Sequence, residues 1–230
     1  MIKKHLLIVL LSFLFIPSIF AQNKKDSLVM QFHFKFQDTP LVLNKKYLSQ
    51  NQDTLQISLL KLYITNIEIQ FEDQSVFQQP NSVHLLDIED LSSLRLPLSK
   101  NENKSIAKVS FQIGIDSTTS TSGALSGDLD PTKGMYWAWQ SGYINMKIEG
   151  TSASCKTRKN QFQFHIGGYK QPFYAMRKVV VAPHHNNLDI AIDVAAFFSE
   201  LQLATTNAVM IPGKQSITLA DTSVKMFRVE

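Results

Sequence analysis

Strict alternation of apolar and polar residues is the feature that most limits what this chain can fold into. In the segment "LVMQFHFKF", Met30, Phe32, Phe34 and Phe36 occupy every second position, with Gln, His and Lys between them. Successive side chains of a β-strand point to opposite faces, whereas an amphipathic helix repeats with a longer period. The segment is therefore predicted to be a strand that buries one aromatic face.

The same alternation returns along most of the chain, interrupted by turn-forming residues. Further strands are predicted at "LQISLLKLYITNIEIQF", "SVHLLDI", "IAKVSFQIGI", "YINMKIEG", "NQFQFHIGG", "RKVVVAP", "LDIAIDV" and the C-terminal "SVKMFRVE". One short helix is predicted at "AAFFSELQ", after Asp193. About ten short strands with one brief helix are typical of an all-β protein, and we predict an antiparallel β-sandwich.

A long polar segment, residues 116–134, separates two of the predicted strands. It reads "DSTTSTSGALSGDLDPTKG", is rich in Ser, Thr and Gly, and has no apolar periodicity. Loops of this length are uncommon inside compact domains and are usually functional or disordered. We predict that this segment is a functional loop of the sandwich.

The N-terminus carries the features of a secretion signal. Two lysines precede an apolar run from Leu6 to Phe20, and Ala21 offers a small residue at which cleavage can occur. An uncleaved membrane anchor is the alternative, but the run is short and is broken by Pro17. We therefore predict a signal peptide at residues 1–21 and one β-sandwich domain at residues 22–230, periplasmic or secreted and free of the membrane after cleavage.

Composition and motif content argue against several classes of function. The formal charge of +4 includes Lys3 and Lys4, and their removal leaves +2, which is too little to indicate nucleic-acid binding. Cys155 is the only cysteine, so an intrachain disulfide is excluded. The chain has no G-x-S-x-G or H-E-x-x-H motif and no cysteine with an identifiable base. We predict that the protein is not an enzyme.

Histidines are the first candidates for a metal site. His165 lies in "FQFHIGG", on the polar face of its predicted strand and beside the glycines where the strand must end, which suits a ligand. His33 alternates with two phenylalanines, which favours a solvent-facing strand residue and keeps it as the second candidate. The segment in which His184 and His185 precede two asparagines is predicted to be a solvated turn. Adjacent histidines can also bind a metal, which is the alternative.

Acidic residues of the long loop permit a calcium site as an alternative. Asp116, Asp128 and Asp130 would supply oxygen ligands from one segment, and Ca²⁺ prefers several oxygens. The full EF-hand pattern is missing, however. Aspartates that cap a turn before Pro131 are the simpler interpretation.

The stretch "GDLDPTKGMYWAWQSGYINMKIEG" holds both tryptophans of the chain. It resembles the signature of the MbnP-like family of periplasmic copper-binding proteins, most specifically in its Met-Tyr-Trp-x-Trp-Gln-x-Gly-Tyr core. Other segments are similar to conserved strands of that family, in the same order. They are "FHFKF", "ISLLKLYITNIEI", "SVHLLDIED", "VSFQIGIDS" and "FQFHIGGY".

The resemblance implies an exported β-sandwich with a role in copper binding. In the family, copper is held by histidine nitrogens together with kynurenine, which a partner haem enzyme makes by oxidising a tryptophan. His165 falls on the family's histidine, and Trp137 and Trp139 fall on its tryptophan pair. If the segment is extended, both tryptophans share one strand face, so spacing alone does not choose between them. The implied partner is a di-haem peroxidase-like maturation enzyme.

One departure from the family's pattern bears on the ligand set. Copper-binding relatives carry an Asn-His in the loop after the "iGV" strand, and the present loop has no histidine. A replacement ligand would be needed, and the candidates are His33, His184, His185 or, for Cu(I), Met135. The alternative function is therefore a periplasmic binding module, without metal or stabilised by calcium, that keeps the fold but lacks the copper site.

Overall fold

The computed structural model describes residues 27–100, 104–183 and 186–230. The predicted signal peptide lies outside these residues. The strands are β1 (Ser27–Phe36), β2 (Thr39–Pro40), β3 (Lys46–Leu48), β4 (Thr54–Phe71), β5 (Val76–Gln78), β6 (Val83–Asp87), β7 (Arg95–Lys100), β8 (Ile106–Ile113), β9 (Ile144–Ser152), β10 (Gln161–Gly167), β11 (Arg177–Val181), β12 (Asp189–Asp193), β13 (Ala208–Val209) and β14 (Phe227–Val229). The helices are α1 (Ser117–Thr121), α2 (Val194–Phe198) and α3 (Lys214–Ser223).

Within the described part of the chain, these strands form two sheets. A five-stranded sheet has the order β14-β12-β1-β2, with β7 also paired to β1. A nine-stranded sheet has the order β11-β8-β4-β9-β10-β13, and the short strands β3, β5 and β6 pair with β4. The long strand β4 is thus central to the larger sheet, which explains why apolar residues occur on both of its faces.

The apolar faces of the two sheets meet in one main hydrophobic core. All four residues of the predicted aromatic face of β1 are buried in it, and Phe32 meets Phe111 of β8 edge to face at 5.9 Å. Phe162 and Phe164 of β10 belong to the same core. The predicted all-β sandwich is therefore confirmed, because alternation placed the buried face of each of these strands correctly.

The pairing direction of some strands differs from the predicted architecture. β1 pairs with β12, and β10 with β13, in parallel, so the sheets are mixed rather than purely antiparallel. Alternation reports which face of a strand is buried and carries no information on the direction of its neighbour. The predicted short helix is α2, where the Asp193 side chain accepts a hydrogen bond from the Ala195 N–H and caps the first turn.

The C-terminal helix α3 was not predicted. Its buried side includes Ser216, Leu219, Ala220 and Ser223, which have helical spacing, but two of the four are serines. An apolar-periodicity criterion therefore misses it. The predicted terminal strand is only β14, since a 3₁₀ turn precedes it at Val224–Met226. None of the helices in the described ranges is long and apolar enough to cross a membrane.

Candidate metal centre

A second hydrophobic cluster lies on the outer face of the nine-stranded sheet. Leu62 and Ile64 of β4 point into the main core, so Tyr63 between them points outward. Residues 115–144, here called the covering segment, fold over this outward face. The cluster consists of Tyr63, Leu85, Ile115, Leu129, Met135, Trp137, Tyr143 and Ile144.

Hydrogen bonds from two tyrosine hydroxyls hold the covering segment on the sheet. The Tyr63 hydroxyl donates to the Asp128 carbonyl oxygen at 2.9 Å, and the Tyr143 hydroxyl donates to the Leu129 carbonyl oxygen at 3.0 Å. Burial raises the pKa of the Tyr63 phenol, and the nearby Tyr143 and Asp128 raise it further. Burial also raises the pKa of the Tyr143 phenol, so both hydroxyls stay protonated as donors. Their hydrogen bonds hold the covering segment in one place on the sheet.

The two tryptophans occupy different environments. Trp137 is only 5% exposed, whereas Trp139 is 62% exposed, and their ring centroids lie 6.1 Å apart. A turn at 138–140 separates their backbones, and the Trp137 N–H donates to the Gly142 carbonyl oxygen at 2.9 Å. The segment is thus not extended through both residues, and the shared strand face expected for an extended chain does not form.

The indole of Trp137 lies directly against the backbone of β10. A Cβ atom added at Gly167 would be 2.8 Å from two carbons of that indole and 2.9 Å from the Tyr143 carbonyl oxygen. Gly167 follows His165 by two residues on the same strand, so both positions belong to the outer face. The fold therefore brings Trp137 beside the strand end that carries His165.

His165 is on the outer face as predicted, but it is only 7% exposed. Its Nε2 lies 2.6 Å from Oε1 of Glu149 on β9. The strand register sets His165 opposite Lys147, with Glu149 on the diagonal. Lys147 Nζ lies 3.6 Å from the same carboxylate oxygen and donates to the Gly134 carbonyl oxygen at 3.2 Å.

The carboxylate of Glu149 is stabilised in its charged form. The hydrogen bond with His165 lowers its pKa, burial opposes this, and the charge of Lys147 lowers the pKa further. The sequence prediction did not identify Glu149 or Lys147, because their proximity to His165 depends on the pairing of β9 with β10. The sequence indicates only that Glu149 and Lys147 lie on the polar face of an alternating strand, the kind of face on which His165 was predicted.

His33 lies far from this arrangement in the fold. It is on β1, on the face opposite the aromatic core residues, and its Nε2 is 3.2 Å from Asp189 Oδ1. The main core separates the two outer faces of the sandwich, so His33 and His165 cannot contact the same ion. Met135 belongs to the covering segment and is buried in the cluster, and His184 and His185 lie outside the described residues.

The three aspartates proposed for calcium each accept hydrogen bonds from other residues of the protein. Asp116 accepts hydrogen bonds from the Thr119 N–H at 2.9 Å and the Thr119 hydroxyl at 2.8 Å, and so caps α1. Asp130 accepts from the N–H and hydroxyl of Thr132. The third carboxylate, Asp128, accepts from the Leu85 N–H and from Lys133 Nζ. Asp116 and Asp130 thus cap turns, as in the simpler interpretation, whereas Asp128 joins the covering segment to β6.

One described side chain, His165, has the chemistry of a copper ligand. Across the ranges that the structure describes, no three His, Cys, Asp or Glu side chains gather to hold a metal ion. His165 supplies a single imidazole already oriented by a carboxylate, which is the usual environment of a metal-ligating histidine. A copper site here would need further ligands, and the described candidates are Met135 and the aromatic side chains beside β10.

Comparisons with known proteins identify the relatives of this chain. The sequence model of the MbnP family matches residues 25–211. Among solved structures, MbnP from Methylosinus trichosporium is similar with a TM-score of 0.62 and 12% sequence identity, and the match covers 82% of each chain. Comparison with curated proteins finds no match. At this identity the structural likeness shows a shared fold.

The matched residues include the covering segment, the tryptophan pair and the strand of His165. The resemblance expected from the "MYWAWQSGY" core is thus confirmed over most of the described domain. Because the family model spans more than half of the chain, the protein belongs to the MbnP family.

Proposed function

We propose that this protein is an exported copper-handling protein without enzymatic turnover. In this proposal, copper is held by His165 together with a kynurenine formed from one of the two tryptophans. The main support is that the Trp137 indole packs on Gly167, two residues from His165, on the outer face of the nine-stranded sheet. Membership of the MbnP family agrees with this assignment.

The chemistry of the side chains explains why a tryptophan must be modified. Imidazole is a good copper ligand, whereas an indole N–H can only donate a hydrogen bond. Oxidation with two equivalents of hydrogen peroxide, reduced to water at the haem of a partner enzyme, adds two oxygens and opens the pyrrole ring. Hydrolysis then releases one carbon as formate. The product is an aromatic amine whose nitrogen lone pair is available to a metal.

The tryptophan that becomes a ligand has to meet two requirements, and each requirement favours a different residue. A ligand must lie close to His165, and this favours Trp137, which packs on the same strand end. A substrate of a partner enzyme must be accessible, and this favours Trp139, which is 62% exposed. We therefore propose Trp137 as the ligand precursor, and peptide mapping of the modified residue decides between the two.

Copper titration with intact-mass analysis tests the proposal. The protein is produced together with its native neighbouring genes, and His165→Ala is compared with His33→Ala. We expect copper binding and a mass change of one oxygen gained and one carbon lost. We also expect His165→Ala to abolish binding, and His33→Ala to retain it because His33 is on the other sheet. Absence of both copper and the mass change would overturn the proposal.

A binding module without metal is the second candidate function. The exposed indole of Trp139 beside the buried Trp137 favours it, because an exposed aromatic side chain can stack on an apolar or sugar-like partner. Substitution of His165 discriminates between the two candidates. Partner binding that survives His165→Ala and fails in Trp139→Ala would support the module, and loss of copper binding in His165→Ala supports the copper protein.

A further inference from the structure

We propose that Glu149 is a positioning residue for His165, holding its Nε2–H so that Nδ1 is the nitrogen that binds copper. This inference rests on the proposed function, because it assigns a role within the same site. Glu149 does not itself need to touch the ion. Its role is to select the tautomer and the ring orientation of the histidine.

The hydrogen-bond geometry determines the tautomer. A carboxylate can only accept a hydrogen bond, so the 2.6 Å contact between Glu149 Oε1 and His165 Nε2 requires a proton on Nε2. A neutral imidazole carries one N–H, which leaves the lone pair on Nδ1. In the described part of the chain, Nδ1 of His165 has no hydrogen-bond partner. The lone pair of that nitrogen is therefore not used by any described group.

Burial and strand register hold the ring in this orientation. The His165 side chain is 9% exposed, so the ring cannot replace Glu149 with bulk water at low cost. A ring flip would direct Nδ1 at the carboxylate and leave Nε2 without this acceptor. The antiparallel pairing of β9 and β10 fixes Glu149 on the diagonal to His165, so the contact is built into the sheet.

Lys147 connects the same carboxylate to the covering segment. Its Nζ lies 3.6 Å from Glu149 Oε1 and donates to the Gly134 carbonyl oxygen at 3.2 Å. Gly134 precedes the Met135–Trp137 stretch directly. A single polar path therefore runs from His165 through Glu149 and Lys147 to the segment that carries the tryptophans.

Metal-binding histidines commonly donate their second ring N–H to a carboxylate, which fixes the tautomer and raises the basicity of the ligand. Loss of such a partner costs about 10–100-fold in metal affinity. His33 makes the other described histidine–carboxylate contacts, with Asp189 at 3.2 Å and with Glu230 at 3.9 Å, on the opposite side of the sandwich. Asp189 therefore provides a matched control.

The first test uses the metal-free protein labelled with ¹⁵N. Nitrogen–proton correlation spectra are recorded in buffer alkaline enough to keep imidazoles neutral. We expect His165 of the parent to show protonated Nε2 and unprotonated Nδ1. Glu149→Ala should give a mixture of tautomers, Glu149→Gln should keep the parent tautomer through its carbonyl oxygen, and Asp189→Ala should leave His165 unchanged. Protonated Nδ1 in the parent would overturn the assignment without reference to any variant.

The second test measures copper affinity of the same proteins in their modified form. We expect Glu149→Ala to lose about 10–100-fold and Asp189→Ala to match the parent. Unchanged affinity in Glu149→Ala would overturn the positioning role while leaving the proposed function intact. Failure of the parent to bind copper, with the expected tautomer present, would overturn the proposed function and the ligand assignment together.

Discussion

Gly167 allows the Trp137 indole to lie against the backbone of β10. We expect Gly167→Ala to lower the free energy of unfolding by about 1–3 kcal/mol, because the new methyl group would overlap both the indole and the Tyr143 carbonyl oxygen. Displacement of the indole should also shift the tryptophan fluorescence. Urea denaturation followed by fluorescence measures both effects.

Gly213 provides the control for that substitution. A Cβ added there meets no atom within 4 Å, and the backbone is extended, so Gly213→Ser should change stability by less than about 0.5 kcal/mol. Equal stability of Gly167→Ala and the parent would contradict the close packing of Trp137.

His84 makes stability depend on pH. Its Nε2 lies 2.7 Å from Gln79 Oε1, and burial lowers its pKa below the ordinary value of 6.5, with Asp128 partly opposing the shift. The unfolded chain then binds the proton more tightly than the folded protein does. This contribution to stability is full above pH 6.5 and is lost as the pH falls towards the folded-state pKa.

The substitution His84→Gln should remove that pH dependence. Melting temperatures of parent and variant are compared on both sides of pH 6.5. We expect the parent to lose stability more steeply than His84→Gln as the medium becomes acidic. If the melting temperatures of the two proteins change with pH in parallel, the pKa of His84 does not differ between the folded and unfolded states.

At the scale of elements, α3 secures the end of the strand that carries His165. Ser216 of α3 is buried, its hydroxyl accepts from the Gly167 N–H at 3.0 Å, and it donates to the Gly167 carbonyl oxygen at 2.8 Å. We expect Ser216→Ala to cost about 1–3 kcal/mol, because it leaves a buried N–H without its acceptor. Chemical denaturation measures the loss.

Thr218 on the exposed side of α3 is the matched control. Its hydroxyl donates only to the Lys214 carbonyl oxygen within the helix, so Thr218→Ala should change stability by less than about 0.5 kcal/mol. The same loss in both variants would mean that the hydroxyl of Ser216 acts on the helix and not on β10.

At the scale of the whole molecule, one core joins the two sheets. Phe32 of the five-stranded sheet is fully buried against Phe111 of the nine-stranded sheet. We expect Phe32→Ala to cost about 3–5 kcal/mol and to move the unfolding transitions seen by tryptophan fluorescence and by far-ultraviolet circular dichroism together. Both tryptophans are on the far side of the other sheet, so a joint shift reports cooperative unfolding.

Leu91→Ala is the control for Phe32→Ala. Leu91 is 75% exposed, so this substitution should leave the fluorescence and circular dichroism transitions unchanged. A fluorescence transition that stays in place in Phe32→Ala, while the circular dichroism transition moves, would indicate that the sheets unfold separately.

Local patterns predicted those parts of the fold that depend on neighbouring residues. The aromatic face of β1 and the outward position of His165 follow from alternation, because strand geometry sends successive side chains to opposite sides. The helix α2 follows from its Asp193 cap. The buried side of α3 is rich in serine, so it has no apolar periodicity by which the helix could be predicted. The parallel direction of the β1–β12 pair cannot be recognised in the sequence of either strand.

The sequence by itself therefore determined the β-sandwich and, through the tryptophan motif, membership of the family. Only the tertiary structure decided which candidate side chains meet. It brings Trp137 and Glu149 to the strand of His165, leaves Trp139 exposed, and sets His33 on the opposite side of the core. The physical reason is that strand faces are set by adjacent residues, whereas register and sheet membership are set by contacts between residues distant in the chain.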